Sequence, residues 1–143
     1  MTMINTPANT QVNQNQWVRI GMVTALASII TVLMVQAVAI AIWPDIALFK
    51  PLDSYARTAL FTLVPAVGAT VMFAWLTRRK TNPVTDFLKI SAVVLILSII
   101  PDYLLPVEHK TFLASSITAF LHVVAATVTV SALVTGYRRQ TRA

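Results

Sequence analysis

Two histidines, five carboxylates and no cysteine make up most of the reactive inventory of this 143-residue chain. Without cysteine there is no disulfide, thiol catalysis, iron–sulfur ligation, covalent haem attachment or lipoprotein anchor. His122 stands out, because it falls within a long uncharged apolar run. Ionisable groups inside such runs are rare and mark a pathway, a relay or a ligand. A neutral imidazole has one donor and one acceptor, so His122 can bridge two helices through Thr118 or a backbone carbonyl. It can equally stand on a proton or substrate pathway, or serve as axial ligand to a haem or chlorophyll-type ring. The bridge is the simplest of the three. No other apolar run contains a histidine, so a single chain cannot supply a bis-histidine haem site. Gln36 is the other strongly polar side chain deep in an apolar run, and it is expected to tie two helices together.

Four carboxylates, Asp45, Asp53, Asp102 and Glu108, lie between or at the ends of the apolar runs and are expected to face the same side as an outer acidic cluster. With His109 they are candidates to hold a cation. Asp45 and Asp102 each follow a proline, however, and a carboxylate there is an ordinary turn and capping residue. Neither nucleophile–base pairs, phosphate-cradling loops nor metal-ligand spacings are present, and three glycines leave nucleotide binding little to work with. The chain reads as non-enzymatic, with no catalytic residue and no metal site.

The elements that position these residues follow from composition. Of the residues 57% are hydrophobic and 11% charged, against roughly 45–50% and about 25% in soluble domains. A bilayer core of about 30 Å needs roughly 20 apolar residues as helix. Spans are predicted at about 20–43, 58–76, 87–105 and 112–134, an all-α, four-helix polytopic membrane protein. Residues 1–16 are read as a disordered polar tail, 17–137 as the transmembrane domain and 138–143 as a basic tail. The first run exceeds a signal-peptide core of about 7–15 residues, so it is read as an uncleaved span. Pro65 sits inside the second, where neighbours can satisfy the freed carbonyl.

Charge sets the orientation. Arg19, Arg78, Arg79, Lys80, Lys89, Arg138, Arg139 and Arg142 share one side, while Lys50, Arg57 and Lys110 lie on the other. The positive-inside rule then places both termini in the cytoplasm of a cell with an inner membrane. The net charge of +6 is thus an orientation signal rather than a nucleic-acid footprint. The expected partners are the lipid bilayer and other membrane proteins or a second copy. Trp17, Trp43, Trp75, Tyr103 and Tyr137 fall near span ends, as an aromatic belt would.

A shift of 57 residues aligns Pro44-Asp45 with Pro101-Asp102 and Val67-Gly68-Ala69-Thr70-Val71 with Val124-Ala125-Ala126-Thr127-Val128, giving nine identities over 35 positions. This suggests a pseudo-twofold bundle of two helical hairpins, with convergence on terminators and small-residue motifs as the alternative. In the fourth span Leu113, Ile117, Phe120, Leu121, Val124 and Val128 form a bulky face expected to meet lipid. The small face with Ser115, Thr118, Ala119, His122, Ala125, Ala126 and Thr129 is expected to turn inward. Thr62, Ala66, Ala69 and Thr70 on the second span, with Thr24, Ser28 and Thr31 on the first, offer matching surfaces.

Thr62-Leu63-Val64-Pro65-Ala66-Val67-Gly68-Ala69, Leu97-Ser98-Ile99-Ile100-Pro101 and Leu121-His122-Val123-Val124-Ala125-Ala126 together resemble a family of small bacterial four-helix membrane proteins classed as a domain of unknown function. The resemblance implies one integral membrane domain with a proline in the second helix and a histidine in the last. Asp102 departs from it, since a proline or apolar residue is more usual there. The resemblance brings no activity; short loops, the lack of a soluble domain and the small-residue faces give the expectation of an accessory or structural subunit acting through lateral helix contacts. The alternatives are a haem- or chlorophyll-binding protein using His122 and a small transporter or channel lined by Thr62, Thr70, Ser115, Thr118 and His122.

Overall fold

A computed structural model describes residues 11–142. Four helices, α1 (Gln14–Ile42), α2 (Tyr55–Arg79), α3 (Pro83–Leu104) and α4 (Phe112–Arg142), are each long and apolar enough to cross a membrane. Short connections make sequential helices antiparallel, and α1 packs on α2 and α4 while α3 closes the ring between α2 and α4.

The helix bounds differ from the predicted spans for local reasons. Asn13 and Gln16 form a reciprocal capping box, each side chain bonding the other's backbone N–H at 2.8 and 2.9 Å. The helix therefore starts inside the segment read as a tail, and of that segment residues 1–10 lie outside the described residues. At the other terminus no breaker follows Gly136, and α4 runs through the basic residues to Arg142 rather than releasing them as a tail. Gln16 Nε2 donates to Gln140 Oε1 at 2.7 Å and joins these two extensions.

One end of the bundle is locked by a ring from each helix. Phe73 of α2, fully buried, stacks on Phe87 of α3 at 4.4 Å between centroids and meets Trp17 of α1 edge-on at 5.6 Å and Tyr137 of α4 at 5.3 Å. Trp17 and Tyr137 thus turn inward, not outward to a belt, whereas Trp43, Trp75 and Tyr103 are exposed near helix ends. Arg19, Arg78, Arg79, Lys80, Lys89 and Arg138 surround this same end. The two arginines ending α2 also complement its dipole.

The opposite end is capped by the 43–54 connection. It holds two 3-10 turns, Pro44–Leu48 and Lys50–Leu52. Ile46 of the first turn, Phe49 in the extended link between the turns and Leu52 of the second are all buried, against Val32, Ala39, Ala114, Ile117 and Leu121. Between the two apolar clusters lies a layer of hydroxyl and small side chains: Thr24, Ala25, Ser28, Ala66 and Thr129, all buried. Ser28 and Thr129 hydroxyls meet at 2.8 Å and link α1 to α4. Such bonds contribute on average about 0.6 kcal/mol in membranes.

Glycine allows the closest helix approaches. A Cβ on Gly21 would lie 2.8 Å from Thr70 Cγ2 on α2, and one on Gly136 would lie 2.9 Å from Ile20 Cγ2 on α1. The hairpin symmetry finds no support in the architecture. Pro44-Asp45 forms an exposed turn after α1, whereas Pro101-Asp102 lies within α3, and α3 buries only Phe87 while α1 buries eight residues.

Candidate functional site

His122 meets a carboxylate. Its Nε2 lies 3.3 Å from Asp102 Oδ2, with side chains 38% and 10% exposed. The local reason is that Pro101 does not end α3. A proline removes its own N–H but need not stop a helix in its last turn, and α3 continues to Leu104, where the Leu105 N–H closes on the Pro101 carbonyl at 3.0 Å. Asp102 therefore points from a helical turn toward α4 instead of capping an outer end.

The partners also differ in height along their helices. Asp102 is two residues from the end of α3, and His122 is ten residues into α4. At about 1.5 Å per residue, α4 overhangs α3 by roughly 12 Å. Tyr103 reaches up to Ser116 Oγ at 3.1 Å, and Lys110 Nζ donates to the Tyr103 and Leu105 carbonyls, holding the ascending 105–111 connection. The contact between Asp102 and His122 is close but not aligned as a hydrogen bond, so Oδ2 is buried without a hydrogen-bond partner.

This arrangement revises the expected roles. Thr118 is not the bridge for His122, because its hydroxyl donates to Ala114 O on its own helix at 3.0 Å. Thr62 likewise donates to Thr58 O at 2.8 Å. Both are buried, and both have their hydroxyl proton engaged within one helix. Ser115 is fully buried and its Oγ has no partner. Gln36 is fully buried and does connect two elements: Nε2 donates to Leu52 O at 3.0 Å, tying α1 to the cap, while Oε1 has no partner. Thr24 Oγ1 is also buried and unpartnered.

The outer acids do not converge. Asp53 pairs with Arg57, which also donates to Lys50 O. Asp45 is exposed in the first 3-10 turn, Glu108 is exposed in the 105–111 connection, and Asp102 has gone to His122. Among the described residues, no three His, Asp or Glu side chains come together to hold a metal. The small face of α4 is buried at Ser115, Thr118, Ala119 and Thr129, but Ile117 and Leu121 of the bulky face are buried too. The overhanging outer half of α4 is wrapped by the 43–54 cap, which needs bulky side chains.

Sequence reasoning missed the pairing of Asp102 because it took Pro101-Asp102 for a terminator. The usable signal was the predicted span itself, which runs to 105 and so carries Asp102 within it rather than at its end.

Fold and site together define a polytopic helical bundle with an acid–imidazole contact within its spans. The chain belongs to the Family of unknown function (DUF6069), whose model matches residues 12–139. No curated protein and no solved structure matches it.

Proposed function

We propose that this protein is an accessory subunit of an inner membrane, with both termini in the cytoplasm, acting without a catalytic site by lateral contact of α2 with other membrane proteins or a second copy. The observation that carries the reading is the placement of the chain's three glycines. Gly21 and Gly136 close contacts within the bundle, whereas a Cβ on Gly68 would meet nothing within 4 Å. Gly68 lies midway along α2 on an exposed face with Phe61, Val64, Pro65, Val71 and Trp75. Pro65 has no N–H, so the Phe61 carbonyl lacks its helical partner on that face. In hydrocarbon such a group is satisfied by a neighbouring helix, and a glycine beside it permits close approach.

Two features weigh against the channel alternative. Apolar clusters fill both ends of the bundle, and the hydroxyls of Thr62 and Thr118 are engaged within their own helices. The test is purification from native membranes in mild detergent, comparing wild type with Gly68→Leu. Co-elution of wild type with an integral membrane protein, lost in Gly68→Leu without a lower Tm, supports the reading. A stable lone monomer of wild type overturns it.

A further inference from the structure

We propose that Asp102 and His122 form a proton-binding site at the α3–α4 seam, carrying one proton on one or the other partner and so keeping the seam closed. Three observations converge. The carboxylate is nine-tenths buried, its Oδ2 has no hydrogen-bond partner, and an imidazole nitrogen stands 3.3 Å away on the neighbouring helix. The pair is also isolated within the helices. α1 carries no ionisable group beyond Arg19, α2 none between Arg57 and Arg78, α3 none between Lys89 and Asp102, and α4 none besides His122 before Tyr137. The nearest charges in the connection are Lys110, whose ammonium is held by the Tyr103 and Leu105 carbonyls, and the exposed Glu108 and His109.

The Lys110 ammonium on the Tyr103 carbonyl is a fixed cation beside the pair, so the number of protons on the pair sets how its charge changes with pH. One proton makes the pair neutral, either as carboxylate with imidazolium or as carboxylic acid with imidazole. Losing it leaves a lone buried carboxylate, and gaining a second leaves a lone imidazolium. Both are disfavoured away from water. The one fully buried residue of α3, Phe87, lies at the opposite end of the helix, so near Asp102 the seam is held by the pair together with the Tyr103–Ser116 bond and the Lys110 clamp. The seam therefore senses proton activity from both directions.

The test is the pH profile of thermal unfolding of the full chain in lipid nanodiscs for wild type, Asp102→Asn, His122→Gln and the double variant. The wild type should show a plateau that falls on both sides. Asp102→Asn leaves an imidazole that is neutral only without its proton, so its Tm should fall on acidification. His122→Gln leaves a carboxyl that is neutral only with its proton, so its Tm should fall as pH rises. The double variant should lose both slopes. Single variants whose profiles run parallel to wild type overturn the proposal. Should a variant not fold, nitrogen-15 NMR of the wild-type imidazoles decides it. Coupled groups inflect together, so His122 should inflect twice with pH. A single inflection at His122, or none, contradicts the site.

Discussion

Removing the Phe73 ring should loosen all four helices at once. Phe73 is fully buried and contacts Trp17, Phe87 and Tyr137, one ring on each of the other helices. In a soluble core Phe→Ala costs about 3–5 kcal/mol, partly because the freed side chain returns to water. In a membrane the separated helix keeps Phe73 in lipid, so much of that transfer contribution is absent and packing dominates. Well-formed aromatic pairs contribute about 0.5–1.5 kcal/mol each beyond area burial, so the loss of Phe73 should cost roughly 1.5–4.5 kcal/mol. Phe73→Leu keeps apolar volume and should cost less than Phe73→Ala. Reversible denaturant unfolding in bicelles measures both. The reasoning fails if Phe73→Ala stays within about 0.5 kcal/mol of wild type, the range of ordinary surface substitutions.

Gly21→Leu should separate α1 from α2 and lower Tm sharply, because even a Cβ there lies 2.8 Å from Thr70 Cγ2; Gly68→Ala, in open space, should leave Tm unchanged within error. Gln36→Leu removes the bond to the Leu52 carbonyl and should destabilise by about 0.6 kcal/mol and at most about 1.7 kcal/mol, the mean and maximum for side-chain hydrogen bonds in membranes; thermal unfolding would show it. Because the chain has no cysteine, single introduced cysteines report topology without background. In intact cells an impermeant maleimide should label Glu108→Cys and not Thr141→Cys, and the reverse pattern would invert the orientation. Purified protein should have no visible absorption band. A Soret or chlorophyll band that disappears in His122→Ala would instead make His122 an axial ligand.

The four spans were legible because length and hydropathy alone decide whether a helix can cross a bilayer, and neither depends on neighbours. Element ends were not read correctly even where a local signal exists: Asn13 and Gln16 stand at capping-box spacing, yet they lie within the segment read as a tail. Which way an interfacial aromatic turns was not legible, since Trp17 and Tyr137 face inward only because Phe73 and Phe87 meet them from other helices. The His122 partner was hidden for the same reason. It depends on the overhang of α4 above α3, a property of bundle height that no residue encodes by itself. The 57-residue repeat shows the opposite hazard. Its matched Pro-Asp pairs are alike in sequence and sit in a turn and a helix respectively.

The lateral-contact account is tested most directly by placing a photoreactive maleimide on single cysteines in native membranes. Gly68→Cys reports the open notch of α2, and Ile96→Cys reports an exposed position on α3 as lipid-facing control. A discrete cross-linked protein product from Gly68→Cys and none from Ile96→Cys is the predicted result. Equal products from both positions, or only lipid adducts from both, would contradict it.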